Sequence, residues 1–198
     1  MVDKTSEGSR MSAWSTKRRA KDRYDLTAEL YDELYAEEQE AKYETAFCHM
    51  GSGLKGLVLD LGCGSGLLFC HLGDKAQQVI GVDLSRNLLR KAQKEAAKAS
   101  VKVSLVQADA DFLPFVEGLF DTVFAFTVLQ NMPEPLVMLS EAKRVMKPDA
   151  EFVVSGLKKA FPLGEFKKVL EKAGFNLVSV DDDDSLKCYI AIVSQFKA

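Results

Sequence analysis

The amino-acid sequence predicts an α/β fold: a doubly wound, mostly parallel sheet of seven strands, with an N-terminal helix and a C-terminal antiparallel hairpin. Three observations support this prediction. Apolar, strand-like runs alternate with helix-like segments five times along the 198 residues, which is typical of a parallel sheet with helices on both faces. The last two strand-like runs follow one another without a helix, which indicates a hairpin. The first run leads directly into a glycine-rich turn and a helix.

The N-terminal fifty residues are predicted to contain a tail and the first helix. Residues 1–20 are polar and show no apolar periodicity, so we expect a flexible basic tail there. Leu26 begins a series of leucines four residues apart, which predicts a helix from Asp25 to about Met50. Residues 21–198 show no further boundary and are expected to form a single domain.

Short runs rich in apolar and β-branched residues predict the strands, and capping signals predict the helices between them. Ser85 is a capping residue, Pro133 suits the first turn of a helix, and Gly174 suits a helix C-terminus. The predicted helices run from about Ser65 to Ala76, from Ser85 to about Ala99, from Pro133 to Met146 and from Pro162 to Gly174. The predicted strands are Leu57–Leu61, Gln78–Asp83, Val101–Gln107, Phe120–Val128, Glu151–Ser155, Asn176–Val180 and Leu186–Phe196.

Composition narrows the class of protein. The formal net charge of −3, with 47% hydrophobic and 28% charged residues, is that of an ordinary globular domain. No apolar run reaches the roughly 18 residues of a membrane span, and the N-terminus lacks the apolar segment of a secretory signal. The cysteines show no C-x-x-C spacing, so we expect no metal and interpret them as small buried side chains in a cytoplasmic, reducing location. They are Cys48, Cys63, Cys70 and Cys188.

Positive charge is concentrated near the N-terminus. The segment Arg10–Arg23 contains six basic residues and one acidic residue. A solvated tail is the simple interpretation of this run. An arm that contacts the phosphates of RNA is the alternative.

The glycine-rich turn lies in the run Val58–Leu67, directly after the first predicted strand. A strand that ends in such a turn and enters a helix brings bare backbone against a nucleotide-like ligand. A side chain at Gly62, Gly64 or Gly66 would hold the ligand away or forbid the backbone angles. Asp60, just before the turn, is placed to receive a cationic amine.

Acidic residues stand at the carboxyl ends of the first three strands, where an open sheet of this type binds its ligand. They are Asp60, Asp83 and Asp109, and we expect them to share one pocket with no Lys or Arg nearby. The absence of the P-loop pattern agrees with this and argues against a polyphosphate ligand. The acids suit a ligand with hydroxyls, an amine and a positive centre. The dinucleotide pattern G-x-G-x-x-G fails, because the residue three after Gly64 is Leu67.

These features together resemble a known enzyme family. The sequence resembles the class I S-adenosylmethionine-dependent methyltransferases, which have a Rossmann-like fold, and within them the UbiE-type group called methyltransferase domain 11. The likeness covers roughly residues 24–196 and depends on five motifs in order. They are Val58–Gly66, Gly81–Asp83, Asp109–Ala110 with Leu113–Phe115, Phe120–Val123, and Arg144–Asp149, in which Asp149 replaces the glycine common in the family.

The resemblance implies a role for each part of the site. The first turn would hold the methionine part of S-adenosylmethionine, Asp83 the ribose and Asp109 the adenine amine, while the loop after the fourth strand would line the methyl donor. The product would be S-adenosylhomocysteine. The residues expected to bind this cofactor are Asp60, Gly62, Cys63, Gly64, Gly66, Asp83, Leu84, Asp109, Ala110, Thr127 and Leu129.

The resemblance also implies the reaction but not the methyl acceptor. Transfer from a sulfonium is an in-line displacement, and the sequence singles out no general base. Candidates for a catalytic role are Gln130, which falls near the acceptor in relatives, and Tyr24 or Tyr31, which would cover the cofactor. The acceptor is a small molecule, an RNA or a protein, and a small activating subunit is a further expected type of partner. The alternative is a non-catalytic cofactor-binding or scaffold protein of the same fold.

Overall fold

The structure analysed is a computed structural model of the chain. It describes residues 4–50, 54, 56–73 and 76–195, and within the first helix it describes the side chains of 14–22, 24–25 and 36–49. The helices are α1 (Lys4–His49), α2 (Phe69–Leu72), α3 (Arg86–Ala96), α4 (Pro135–Val145) and α5 (Leu163–Lys172). The strands are β1 (Leu57–Leu61), β2 (Gln78–Asp83), β3 (Lys102–Gln107), β4 (Phe120–Ala125), β5 (Met146–Leu157), β6 (Phe175–Asp181) and β7 (Cys188–Gln195).

The seven strands form one sheet in the order β3-β2-β1-β4-β5-β7-β6. The first five strands are parallel, and β7 runs antiparallel to both β5 and β6. The predicted fold class is therefore confirmed, including the hairpin. The chain leaves β1 toward β2 and β3 and later returns to the other side of β1 as β4. The carboxyl ends of β1 and β4 consequently flank the switch point at which such sheets bind ligands.

Apolar side chains fill both faces of the sheet. On one face α4 and α5 pack against a cluster that includes Phe120, Phe152 and Phe175. On the other face residues of α1, α2 and α3 pack against Phe124 and its neighbours. Near-continuous apolar sequences such as that of β4 are expected for strands that are buried on both sides. The sheet is thus a firm support for the loops at its carboxyl edge.

Several boundaries differ from those predicted. Helix α1 begins at Lys4, well before Asp25, and so continues through residue 20. The flexibility of a tail over residues 1–20 and the domain boundary stay predictions. Helix α2 is a single turn rather than a helix from Ser65 to Ala76, because the glycine turn extends to Gly66 and Gly73 then takes a positive φ. The prediction of four buried cysteines was wrong for Cys48 and Cys70, which are exposed.

Gly66 is a position where only glycine fits. Its φ is +88°, and a Cβ there would lie 2.6 Å from the Phe69 ring and 3.1 Å from Cα of Ala92. We expect Gly66→Ala to lower the free energy of unfolding by about 2–4 kcal/mol, the sum of backbone strain and overpacking. Gly118→Ala is the matched control, because Gly118 also has a positive φ but nothing within 4 Å of its Cβ position. Urea unfolding of both variants checks this, and equal losses would contradict the packing argument.

Candidate functional site

A cavity opens at the carboxyl ends of β1, β2, β3 and β4, and we call it the main cavity. It contains about 810 Å3 of space outside atoms, part of which is open to solvent. Helix α1 covers one side of it. The residues that line the main cavity are Lys17, Ala20, Lys21, Tyr24, Leu61, Gly62, Gly64, Val82, Asp83, Leu84, Ser85, Leu88, Ala108, Asp109, Ala110, Phe126, Thr127, Val128, Asn131 and Met132.

The glycine turn after β1 forms the floor of this cavity. The backbone N–H groups of Gly62 and Cys63 donate to the carbonyl of Val82 at 2.7 and 2.9 Å, which ties the turn to β2. Gly62 has a φ of +75°, and a Cβ at this position would collide with the side chain of Val128. Gly64 has a φ of +56° and open space at its Cβ position. Gly62 is therefore required for packing against Val128, whereas Gly64 presents open backbone.

Asp83 at the end of β2 is fixed by backbone donors. Its Oδ2 accepts from the N–H of Gly64 at 2.9 Å, and its Oδ1 accepts from the N–H of Ser85 at 2.7 Å. Burial raises the pKa of Asp83, although these two N–H groups oppose the rise. Each oxygen retains a lone pair for a further donor, so the carboxylate can accept from two hydroxyls at once.

Asp60 lies in a separate, smaller cavity. This side cavity is lined by Asp60, Gln39, Tyr43, Cys63, Ser65 and Leu67, and it shares Gly62, Gly64 and Phe126 with the main cavity. The Asp60 side chain is 3% exposed, and no cation of the described residues pairs with it. Burial first, and the charge of Asp83 second, raise its pKa to about 8. The sequence predicts one pocket for the three acids; in the structure Asp83 and Asp109 line the main cavity, and Asp60 lies in the adjoining side cavity.

Asp109, at the end of β3, is paired with a lysine of helix α1. Lys17 Nζ donates to Asp109 Oδ1 at 2.6 Å and also bonds to Asp111. Lys17 is itself buried, and Lys21 lines the same cavity. The expectation that no Lys or Arg lies near the acids was therefore wrong. Its physical reason is that the partners are 92 and 94 residues apart in sequence, so the carboxyl ends of the strands alone do not reveal them.

Two further polar contacts fasten α1 across the cavity. Asn131 Nδ2 donates to the hydroxyl of Tyr24 at 3.1 Å. Ser85 Oγ donates to Asp25, whose other oxygen accepts from Lys21 at 2.7 Å. Burial alone would raise the pKa of Asp25, but Lys21 and Ser85 outweigh it and hold the pKa below its usual value. Helix α1 is thereby attached to the ends of β2, β3 and β4.

Thr127, after β4, has a backbone conformation that is rare for a residue with a side chain. Its φ is +63°, and the surrounding hydrogen bonds support it. Its N–H donates to Ser155 Oγ at 2.7 Å, and its carbonyl accepts from Gln130 and Asn131, both at 2.9 Å. Its hydroxyl accepts from Lys42 Nζ at 3.3 Å. Strained residues held in this way occur often at ligand sites.

Some of the predicted site residues line a cavity in the structure, and others do not. Asp83, Leu84, Asp109, Ala110, Thr127 and Tyr24 line the main cavity, while Asp60 and Cys63 line the side cavity and Gly62 and Gly64 line both. Gly66, Leu129 and Gln130 line neither cavity: Gly66 packs against Phe69, Leu129 is fully buried, and Gln130 donates to the Thr127 carbonyl. The side chain of Tyr31 lies outside the described residues.

Some lining residues were not predicted from the sequence. Lys17, Ala20 and Lys21 come from the segment expected to be a tail or its border, and their spacing of three and four is the helical signal that would have placed them on one face. Phe126 and Met132 line the main cavity from either side of Thr127. Asn131, rather than Gln130, supplies the polar side chain of this loop.

Comparison with known proteins finds similarity to one family over part of the chain. Residues 59–154, just under half of the chain, match the family model described as Methyltransferase domain, the methyltransferase domain 11 group. The resemblance to S-adenosylmethionine-dependent methyltransferases that the sequence motifs predict is thereby confirmed.

Two relatives show how far the similarity extends. The chain is 28% identical over 190 residues to 27-O-demethylrifamycin SV methyltransferase of Amycolatopsis mediterranei, covering 86% of this chain and 66% of the relative. It is 33% identical over 101 residues to a ubiquinone biosynthesis O-methyltransferase of Xanthomonas oryzae pv. oryzae, covering 50% of this chain and 42% of the relative. The chain therefore spans only part of the length of these relatives.

Solved structures share the fold of this chain. Magnesium protoporphyrin IX methyltransferase of Synechocystis with bound S-adenosylmethionine aligns with a TM-score of 0.76 and 20% identity, covering 91% of this chain and 97% of that chain. A Haloferax volcanii methyltransferase in complex with the Trm112 methyltransferase activator gives 0.73 and 17%, with 86% and 96% covered. The [4+2]-cyclase SpnF gives 0.71 and 22%, with 85% and 75% covered. At these identities the likeness shows the fold.

The cavities suit the cofactor of this family. Asp60 is a buried carboxylate for which the described residues supply no cation, and the cofactor carries an ammonium and a sulfonium. Asp83 keeps lone pairs for two hydroxyls, and Asp109 lies at the end of β3. No helix among the described residues has the length and apolar character needed to cross a membrane.

Proposed function

We propose that this chain transfers a methyl group from S-adenosylmethionine to an acceptor. The observation that carries the proposal is Asp60, a buried carboxylate beside the glycine turn that no described cation neutralises. A buried unpaired carboxylate is unfavourable for the folded protein, and a cationic ligand offsets that cost. The sulfonium of the cofactor supplies an activated methyl group, so the protein's task is alignment.

The residues of the two cavities would divide the cofactor among them. Asp60 with the backbone of Gly62, Cys63 and Gly64 would hold the methionine part, and Asp83 with Leu84 the ribose. Asp109 and Ala110 would hold the adenine. Gly66 and Leu129 would act indirectly, Gly66 by shaping the turn and Leu129 by supporting the loop after β4.

The loop after β4 would guide the acceptor to the methyl group. Thr127 lines the main cavity, and the amides of Gln130 and Asn131 both hold its carbonyl in place. Tyr24 lies against Asn131 and would close the cavity on the α1 side. Fixed walls of this kind exclude water and keep the reacting atoms in line, which is the main source of acceleration for a displacement on an activated group.

The first test is binding of S-adenosylhomocysteine measured by calorimetry. Asp83→Ala is expected to weaken binding about 5- to 150-fold, or about 1–3 kcal/mol, because the ribose hydroxyls lose their acceptor. Asp149→Ala, at an exposed position away from both cavities, is the control and should bind like the wild type. Unchanged affinity in Asp83→Ala would contradict the ribose role. No binding to the wild type would overturn the proposed function.

The acceptor can be identified by transfer of a tritiated methyl group to separate pools of metabolites, RNA and protein. Label in one pool names the acceptor class. Binding without label in any pool would favour the alternative, a non-catalytic cofactor-binding protein. The fold also occurs in a cyclase, so turnover has to be measured rather than taken from the fold.

Partners and location follow from the same proposal. Arg18 and Arg19 are exposed on α1, whereas Lys17 in the same basic run is buried, so an RNA contact would involve the exposed pair. Arg18→Gln/Arg19→Gln tests this without removing Lys17: unchanged methylation of the RNA pool would exclude the basic arm. A small activating subunit is a second type of partner, as in the Haloferax complex, and the expected location is the cytoplasm.

A further inference from the structure

The wall of the main cavity at the end of β3 contains a lysine between two carboxylates. Lys17 Nζ is 2.6 Å from Asp109 Oδ1 and also bonds to Asp111 Oδ2. The Lys17 side chain is 6% exposed, and both acids are also largely buried. Glu134 is the other charged group that acts on Asp111, while Lys21 is paired with Asp25. This arrangement is built by contacts between α1 and a distant loop, within the cavity wall.

The contacts fix one oxygen of Asp109 and leave the other for a ligand. Oδ1 accepts from Lys17 and from the backbone N–H of Asp111, which is 3.0 Å away. Among the described residues no donor is bonded to Oδ2. A carboxylate held at one oxygen by two donors has a defined orientation, so its second oxygen is a fixed acceptor.

Lys17 also acts on the charge of Asp111. Burial raises the pKa of Asp111, Lys17 opposes the rise, and the charges of Asp109 and Glu134 add to it. Lys17 thus favours the ionised, acceptor form of Asp111.

We propose that Lys17 is a positioning residue that sets base specificity at this end of the cavity. By holding Asp109 at Oδ1, it keeps Oδ2 oriented as a fixed acceptor, which selects a base with an exocyclic amine and rejects one with a carbonyl at the same position. The inference rests on the proposed function, because it concerns the adenine end of the same cofactor site. Lys17 therefore acts through Asp109, and its effect is measured as the ratio of the affinities for a ligand with an amine and a ligand with a carbonyl at that position.

The test compares S-adenosylhomocysteine with its inosine analogue, in which a carbonyl replaces the amine. The wild type is expected to prefer the adenine ligand at least about tenfold, because the analogue places an acceptor against an acceptor. In Lys17→Met the preference should fall about tenfold, since Asp109 then loses the side-chain donor that fixes the orientation of its second oxygen. Lys17→Arg retains the cation and should restore most of the preference. Calorimetric titration of both ligands gives the ratio directly.

Lys21→Met is the matched control, because Lys21 is on the same helix and lines the same cavity but pairs with Asp25. It should change both affinities by the same factor. A wild-type preference that persists in Lys17→Met overturns the inference, whichever way the absolute affinities move, and so does a wild type without preference. A wild type that binds neither ligand overturns the proposed function instead.

Discussion

Asp60→Asn is expected to weaken the binding of S-adenosylhomocysteine at least about 100-fold while making the unliganded protein more stable at pH 8 and above. Removing one partner of a buried charge pair costs about 2–5 kcal/mol of binding free energy. At pH 7 most of Asp60 carries a proton, because its pKa is raised to about 8, so binding a cation releases that proton. Calorimetry in buffers of different ionisation enthalpy should show the release in the wild type and not in the variant.

The stability effect has a defined sign and pH window. The folded state of the wild type binds a proton at Asp60 up to about pH 8, whereas the unfolded chain loses it near the usual value of 3.8. Stability therefore falls as pH rises from about 4 to about 8 and then becomes level. An asparagine at this position does not titrate. The free energy of unfolding of Asp60→Asn relative to the wild type therefore rises over the same pH window, by at most about 6 kcal/mol at about 1.4 kcal/mol per pKa unit.

Asp121→Asn, next to the other end of β1, is a control that is expected to change stability in the opposite direction. Asp121 accepts from Lys147 at 2.6 Å and from the N–H of Leu57 at 2.8 Å. Burial would raise the pKa of Asp121, but these donors outweigh it and lower the pKa, so its contribution is present above about pH 4 and lost in acid. We expect this variant to lose about 1–2 kcal/mol at pH 8. Chemical unfolding from pH 4 to 9 measures both variants, and a less stable Asp60→Asn at pH 8 would contradict the argument.

Lys42→Met is expected to lower the free energy of unfolding by about 3 kcal/mol. The Lys42 side chain is 2% exposed, and its ammonium lies 2.9 Å from Glu38 Oε1 and 3.3 Å from the hydroxyl of Thr127. Removing the buried partner of an ion pair is strongly destabilising, and here it leaves Glu38 with only the exposed Lys187. The left-handed backbone of Thr127 also loses a supporting contact. Thermal and urea unfolding at pH 7 measure the loss.

Lys187→Met is the matched control, because Lys187 pairs with the same glutamate at 2.8 Å but is 72% exposed. An exposed pair of this type contributes about 1 kcal/mol or less. Burial would raise the pKa of Glu38, but Lys187 and Lys42 outweigh it and hold the pKa below 4.5. The stabilisation from Glu38 is thus present above about pH 4.5 and lost as pH falls through the lowered pKa. Similar losses of unfolding free energy in the two variants would show that the buried Lys42 stabilises the protein no more than the exposed Lys187.

The sheet could be predicted from the sequence because its strands are buried on both faces. β2 was predicted with its observed ends, and β1 likewise, since apolar runs bounded by glycine and polar residues define them. β4 ends at Ala125 rather than Val128, because Thr127 turns into the left-handed region. Nothing in a run of apolar letters signals that change, which depends on the distant hydroxyl of Ser155 as an acceptor and on the amide of Asn131 as a donor.

The N-terminal half of α1 could not be predicted, because its apolar periodicity is weak and its position depends on long-range polar contacts. Lys17, Tyr24 and Asp25 meet partners that are 60 to 107 residues away. The same limit explains the site. The sequence identified the acids at the strand ends, but it does not reveal that Asp60 lies in a side cavity that Phe126 also lines.

Helix α1 has a kinetic consequence for the proposed reaction. The C-terminal part of this helix is anchored against the hydrophobic core through Tyr43 and Ala46, and the segment from Lys17 to Tyr24 forms a wall of the main cavity. A nucleoside product that leaves on that side can do so only after the helix moves away. Product release, rather than the displacement itself, would then limit the turnover rate. Mutations far from the reacting atoms, at the outer end of the helix, would act on release.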